Sequence, residues 1–352
     1  MARKFVYRPG EAGVFHCINR CVRRAFLCGW DEYSGKSFEH RREWVRERVQ
    51  ELCGIFALDV CAYAVMSNHV HLVVRTRPEV VSGWSDEEVA RRWLRLCPGR
   101  RDQVGASAVE DGVAILAKDA EKVKIYRERL GNLSWFMRGL SEVVARRANE
   151  EDGCKGRFWE GRFKCQRLAD AGAVAACMAY VDLNPVRSGV AETPEESEFC
   201  GVGDRLRARR GRAKLAAWAA SGGDESSATE GQNRMVDVAR GDVERARWLA
   251  RVDAGEGGVL GMSEERYLQL VDWTGRRMRD DKAGAIPAEL APVLERLELD
   301  LENWVTTVKR YGTLYHRVAG RLEKLAEAAQ AAGQRWFKRR DREGCAGVYR
   351  AA

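Results

Sequence analysis

The chain carries two histidines, His69 and His71, inside a run of apolar and β-branched residues. Because alternate side chains of a β-strand point to the same face, this spacing places both imidazoles on one face of a strand. The polar Ser67-Asn68 step before the pair predicts a hairpin turn. Two imidazoles on a rigid surface form part of a divalent-metal site. The alternative is an ordinary strand with one buried and one surface histidine.

A second constrained stretch contains Tyr180 and Asn184. Their spacing of four residues places both on one face of a helix predicted over 170–184. Asn184 precedes Pro185, and the residue before a proline avoids the helical conformation, so the helix is predicted to end there. A core tyrosine near a helix end is the alternative interpretation of this stretch.

Together the two stretches resemble the single-tyrosine HUH transposases of the IS200-like superfamily, and most closely the REP-associated tyrosine transposases. HVH at 69–71 is similar to the family's His-hydrophobic-His motif, and YVDLNPVRSGV at 180–190 is similar to its tyrosine segment. GRFWEGRFK at 156–164 is similar to a third recurring stretch of the family. The resemblance covers roughly residues 10–200.

The resemblance implies an enzyme with Tyr180 as the catalytic nucleophile. It would cleave and rejoin single-stranded DNA at hairpin-associated sites through a 5′-phosphotyrosine intermediate, as in DNA transposition. His69 and His71 would be metal ligands, and Asn184 would be the third by its position on the tyrosine helix. Mg²⁺ or Mn²⁺ is the expected cofactor, since an amide oxygen suits both ions and imidazole favours Mn²⁺.

Further residues are candidates for contacting DNA. Arginine and aromatic side chains interleave in the 156–164 segment, a mixture that can hold phosphates and stack unpaired bases. A turn anchored by core aromatics is the alternative. The eight candidates are His16, Arg20, Asn68, Arg157, Trp159, Arg162, Lys164 and Arg187. His16 lies on a strand predicted over 14–20, and is expected either to approach the metal or phosphate or to be a sheet-edge histidine.

The pattern of apolar residues predicts the element order β-α-β-β-α-β-α. Its helices are predicted over 38–55, 133–149 and 170–184, and its hairpin over 56–66 and 69–76. This order indicates the α+β class, with a ferredoxin-like or RRM-like antiparallel sheet and helices on one face. The resemblance implies the same fold, the HUH nuclease core.

Three domains are predicted. Residues 1–200 form the transposase domain, with an insertion at about 78–131. Residues 201–260 form a basic and then Gly/Ser-rich linker. Residues 261–345 form a helical accessory module, whose basic segments 276–279 and 338–340 suit either DNA contact or packing.

Composition agrees with an anionic partner. The chain has 352 residues and a net charge of +8, which favours nucleic acid, although a codon bias towards arginine has the same effect. No apolar run approaches 18 residues and no secretory signal is present, so a cytoplasmic, nucleoid-associated protein without a membrane partner is expected. For the oligomeric state, a monomer and a homodimer are both compatible with the sequence.

Two other functions compete with the transposase prediction. One is a recruited, non-catalytic nucleic-acid-binding protein on the same fold. The other is an HUH-type replication or mobilisation initiator, which the single tyrosine disfavours. The chain offers no Walker lysine loop, no G-x-S-x-G motif and no C-x₂-C pair, so the sequence gives no support for nucleotide hydrolysis, serine-hydrolase chemistry or a zinc knuckle.

Overall fold

The structure is a computed structural model of the chain, and it describes most of the 352 residues. The described residues are 6–22, 27–32, 34–97, 106–224, 228–253, 258–278, 301–335 and 337. The chain forms two compact units. The first comprises Met1–Val60 and Val65–Arg167, and the second comprises Cys61–Ala64 and Leu168–Ala352.

The fold is α+β, and its main sheet is mixed and five-stranded, in the order β4-β5-β1-β6-β7. Strands β2 and β3 form a separate two-stranded ribbon. The strand bounds are β1 Gly13–Arg20, β2 Trp30–Asp31, β3 Lys36–Ser37, β4 Leu58–Val65, β5 His69–Thr76, β6 Lys164–Leu168 and β7 Val318–Ala319.

Thirteen helices lie in the described part of the chain. Six belong to the first unit: α1 Arg41–Cys53, α2 Pro78–Ser82, α3 Asp86–Leu96, α4 Ala106–Ala117, α5 Ala120–Leu130 and α6 Leu133–Glu151. Seven belong to the second: α7 Ala171–Asp182, α8 Asn184–Arg187, α9 Gly201–Ala220, α10 Glu230–Arg245, α11 Glu264–Met278, α12 Leu301–Leu314 and α13 Leu322–Ala331. None of the helices in these described ranges has the length and apolarity that a bilayer crossing demands.

The elements predicted for residues 14–184 are present within two or three residues of their predicted bounds. Strand β1, helix α1, the β4–β5 hairpin, α6, β6 and α7 follow in the predicted order. The range 78–131, predicted as an insertion, contains α2 to α5. The mixed sheet contains the antiparallel pair of β1 and β5, and the finer prediction of a ferredoxin-like fold stays a prediction.

The range predicted as a linker differs from the expectation, because helices α9 and α10 occupy most of it. Helix α10 begins with a capping box, in which Thr229 and Gln232 satisfy each other's backbone N–H groups. Further along the chain, part of the predicted accessory module, including the basic residues Arg279 and 338–340, lies outside the described residues.

A buried polar cluster anchors α9 within the second unit. Asp204 is 1% exposed, and its two carboxylate oxygens accept from Tyr63 Oη at 2.5 Å and Arg245 Nε at 2.6 Å. The neighbouring Arg205, also buried, donates to the carbonyl oxygens of Cys61 at 3.0 Å and Ala250 at 2.8 Å. Charged groups this deep are stable only when they are paired and hydrogen-bonded.

We expect Asp204→Ala to destabilise the protein by about 3–5 kcal/mol, because the Arg245 charge and the Tyr63 hydroxyl lose their shared acceptor. Urea unfolding followed by circular dichroism measures the loss. Asp237→Ala is the matched control, since Asp237 is exposed on α10 and its replacement is expected to change stability by less than about 0.5 kcal/mol. Equal effects of the two substitutions would contradict an anchoring role for Asp204.

Candidate metal and nucleophile sites

Strands β1 and β5 of the first unit bring three histidines to one face of the sheet. The strands are antiparallel, with Ile18 opposite His71 and Arg20 opposite His69. Since side chains alternate along a strand, His16 lies on the same face as Ile18 and Arg20. The predicted pairing of His69 and His71 on one face is therefore what the backbone register provides.

The two imidazoles of β5 approach each other with their Nε2 atoms. His69 Nε2 and His71 Nε2 are 2.9 Å apart, and the rings meet edge to face at 77°. His71 is 2% exposed, whereas His69 is half-buried. The two Nε2 atoms thus converge on one point at the border between the core and the surface.

The remaining nitrogen of each imidazole is held by a partner. His69 Nδ1 lies 2.7 Å from Asn68 Oδ1, and His71 Nδ1 lies 2.9 Å from His16 Nε2. The His16 ring stacks on the His71 ring at a centroid distance of 5.1 Å. Because a hydrogen bond at one ring nitrogen orients the whole ring, these contacts direct both Nε2 atoms to the shared point.

Burial keeps two of these imidazoles neutral. Desolvation and, to a smaller extent, the positive charge of Arg20 together lower the pKa of His69 to about 4. Desolvation also lowers the pKa of His16 to about 4, although a hydrogen bond between His16 and the Gln166 side chain opposes that shift. A neutral imidazole offers a lone pair at pH 7, which is the form that binds a metal ion.

The His69–His71 pair fits two adjacent ligands of one cation. Ligands at about 2.1 Å from a metal and at a right angle to each other are about 3.0 Å apart, close to the observed nitrogen separation. His16 contacts His71 at Nδ1, not at the Nε2 atom that would bind the cation. His16 therefore supports the pair and is not a third ligand of the same cation. Accordingly, no group of three or more His, Cys, Asp or Glu side chains in the described part of the chain is arranged to hold a metal.

The structure places the predicted DNA-contact residues of the first unit in several different environments. Asn68 and His16 contact the imidazoles, as above. Arg20 pairs with Glu160 at 3.7 Å. Trp159 is 8% exposed and donates through Nε1 to the carbonyl oxygen of Ser141 at 2.8 Å. The remaining three, Arg157, Arg162 and Lys164, are exposed.

Trp159 therefore has the contacts of an anchoring residue, in agreement with the alternative interpretation of its segment. Its backbone forms a bridge with Cys21, next to the end of β1. Arg157, Arg162 and Lys164, on either side of Trp159, are exposed to solvent, and a phosphate-binding surface needs exposed cations. A DNA-contact role for any of these residues stays a prediction.

Helix α7 of the second unit carries Tyr180 with only 8% of its surface exposed. The ring lies between two neighbours: the Arg187 guanidinium over it at 4.6 Å and the Tyr311 ring of α12 at 5.4 Å. Arg187 is exposed. The Tyr180 hydroxyl lies beneath Gly312, where an added Cβ atom would be 2.8 Å from Oη.

Asn184 begins the short helix α8 and is 7% exposed. Its backbone carbonyl oxygen accepts from Ser188 Oγ at 2.9 Å. Asn184 belongs to the second unit and the two histidines to the first. Its predicted role as a third metal ligand stays a prediction.

Sequence reasoning missed three residues beside the candidate sites. Gln166 follows the predicted phosphate-binding segment by only two residues, yet its side chain contacts His16. Asp182, two residues after Tyr180, is fully buried, and burial raises its pKa to about 6 although Tyr267 Oη donates to it at 2.5 Å. Gly312 lies about 130 residues from Tyr180 along the chain, and no local pattern signals their contact.

Comparisons with known proteins give one structural similarity. No protein-family model matches the chain, and no curated protein matches it. Among solved structures, the chain is similar to a REP-associated tyrosine transposase bound to a REP hairpin, at 14% identity and a TM-score of 0.32. The match covers 55% of this chain and 78% of that chain. The similarity to that transposase is thus distant and partial.

Proposed function

We propose that the protein cleaves and rejoins single-stranded DNA through Tyr180, as a metal-dependent transposase of the single-tyrosine type. The observation that carries this proposal is the His69–His71 pair, whose Nε2 atoms converge at 2.9 Å while both Nδ1 atoms are held. A sheet that only binds nucleic acid does not require two imidazoles oriented to one point. The resemblance of the HVH and YVDLNPVRSGV segments to that family supports the same chemistry.

His69 and His71 would hold Mg²⁺ or Mn²⁺, with Asn184 as the proposed third ligand. When bound, the cation supplies positive charge to a phosphate oxygen of the DNA. Asn68 and His16 keep the two imidazoles in the orientation that this task requires. His69 stays neutral at physiological pH, because its pKa is lowered to about 4 by burial and by Arg20.

Tyr180 would be the nucleophile. Its Oη attacks phosphorus and loses its proton, the bond from phosphorus to the 3′ oxygen breaks, and that oxygen leaves as a 3′-hydroxyl. The product is a 5′-phosphotyrosine link, which keeps the energy of the broken bond. A 3′-hydroxyl that attacks the same phosphorus reverses the reaction and rejoins the strand without ATP.

The proposed substrate is single-stranded DNA with a hairpin. Arginine suits phosphate oxygens because its planar group donates several hydrogen bonds. The exposed cations Arg157, Arg162 and Lys164 would hold the strand beside the histidines, and Arg187 would hold it beside Tyr180. The proposed setting is the cytoplasm, in association with the nucleoid, and the protein would work as a monomer or homodimer.

A labelled-DNA experiment tests the proposal. The protein is mixed with single-stranded hairpin DNA from the flanks of its own gene, labelled at the 5′ or 3′ end, in Mn²⁺ or EDTA. A denaturing gel is expected to show a covalent protein–DNA species only with Mn²⁺, and only with the label on the 3′ side of the cut. No covalent species with any of several hairpins in either metal would contradict the proposal.

The low exposure of Tyr180 favours a second candidate function, a non-catalytic nucleic-acid-binding protein. This candidate predicts tight hairpin binding that is unchanged by EDTA and by His69→Ala. The same set of hairpins, examined by gel shift under native conditions, separates the two functions. Binding that persists without metal and without any covalent species would identify the second.

We expect His16→Leu to weaken Mn²⁺ binding by about 10–100-fold, because the His71 ring loses the partner at its Nδ1 atom. His16→Gln is the conservative variant, since an amide oxygen can accept from the same nitrogen, and it is expected to retain most of the affinity. Titration calorimetry with Mn²⁺ measures both. Equal affinities of the leucine and glutamine variants would show that His16 only fills space.

A further inference from the structure

Helix α12 meets Tyr180 at a residue that has no side chain. Gly312 is exposed, whereas its neighbour Tyr311 is 0% exposed and packs against the Tyr180 ring. A Cβ atom on Gly312 would lie 2.8 Å from Tyr180 Oη and 3.5 Å from Cζ. The hydroxyl therefore lies directly under a solvent-exposed position of this helix.

Glycine is an unfavourable residue in this place. It lowers helix stability relative to alanine, and Gly312 lies inside α12 rather than at its end. Its backbone is not among the positive-φ positions of the described residues, so no left-handed conformation requires a glycine. The close approach of the Tyr180 hydroxyl is the physical reason that a side chain does not fit.

We propose that Gly312 forms the opening through which a DNA phosphodiester reaches the Tyr180 hydroxyl. Helix α12, predicted from the sequence as part of an accessory module, then contributes a positioning residue to the reaction. The exposed guanidinium of Arg187 over the Tyr180 ring supplies positive charge next to this opening, as an anionic phosphodiester requires. The inference rests on the proposed function.

The test compares Gly312→Ala with Gly241→Ala in the full-length protein. Gly241 is inside α10, and a Cβ atom there would meet nothing within 4 Å, so the two substitutions make the same chemical change with and without an obstruction. Two quantities are measured: covalent DNA adduct with Mn²⁺, and acetylation of Tyr180 by N-acetylimidazole, mapped by mass spectrometry. The second needs no DNA and no metal.

Gly312→Ala is expected to lower Tyr180 acetylation at least about 10-fold and adduct formation by about 10–100-fold, because small displacements of a reacting atom have large effects on rate. Its melting temperature is expected to be unchanged or slightly lower, since the helix propensity of alanine is offset by the displacement of the Tyr180 hydroxyl. Gly241→Ala is expected to match the wild type in both assays. Wild-type rates of acetylation in Gly312→Ala would overturn the inference.

The two readouts separate this inference from the proposed function. Blocked acetylation in Gly312→Ala, together with a wild type that never forms an adduct, would retain the opening and overturn the DNA chemistry. If Gly312→Ala does not fold, the inference is tested by the acetylation rate of Tyr180 in the native wild type. Tyr180 must then react faster than the fully buried Tyr311 and Tyr267, and equal protection of all three would overturn the inference.

Discussion

Tyr180→Phe is expected to abolish the covalent protein–DNA species, with a loss of more than about 10³-fold, because the variant lacks the oxygen that bonds to phosphorus. The ring and its contacts with Arg187 and Tyr311 remain, so folding is expected to be unchanged. The measurement is the band of labelled DNA that migrates with the protein on a denaturing gel. Hairpin binding under native conditions should be close to that of the wild type.

Tyr315→Phe is the matched control for this experiment. Tyr315 is 6% exposed and packs on Tyr311, so it is a second buried tyrosine of the same aromatic cluster. Its variant is expected to form the adduct normally. An adduct that persists in Tyr180→Phe would exclude Tyr180 as the nucleophile, and loss of the adduct only in Tyr315→Phe would transfer that role.

His69→Ala and His71→Ala are each expected to lower Mn²⁺-dependent adduct formation by more than about 10²-fold, because each removes one of two converging ligand nitrogens. Manganese titration followed by electron paramagnetic resonance measures the binding step separately from the DNA reaction. Both variants are expected to lose Mn²⁺ affinity, and excess metal should restore part of the activity of His69→Ala, which leaves the buried His71 and its partner in place.

His40→Ala serves as the control for histidine loss. His40 lies before α1, and its Nε2 atom is 2.7 Å from Glu151 Oε1 in a partly exposed contact, where replacement is expected to change stability by about 1 kcal/mol or less. It should bind Mn²⁺ and form the adduct as the wild type does. Metal binding that is equal in all three variants would remove the basis for a metal centre on β5.

The sequence alone determined the elements that carry the candidate site. Alternation of apolar and polar residues is a local property, so the strand that bears His69 and His71 and the helix that bears Tyr180 could be predicted from their own segments. The step at Asn68 likewise marked the hairpin turn. Strong local periodicity is sufficient for such elements, because burial of one face decides their conformation.

Residues 201–260 show where this reasoning fails. Arg and Gly/Ser-rich segments are typical of linkers, yet α9 and α10 form there. The stabilising contacts of Asp204 come from Tyr63 and Arg245, which lie 141 and 41 residues away. A buried ion pair of this kind joins residues that are far apart in the sequence, so the local pattern does not reveal it.

The sequence therefore determined which element the strongly periodic segments form, whereas tertiary structure decided what each side chain contacts. The sequence placed His16 on a strand, but only the β1–β5 register sets its Nε2 atom 2.9 Å from His71 Nδ1. It placed Tyr180 on a helix, but only packing within the second unit sets Gly312 over its hydroxyl. The physical reason is that strand alternation and helix periodicity act over a few residues, while register and packing join residues that the chain separates by 55 to more than 130 positions.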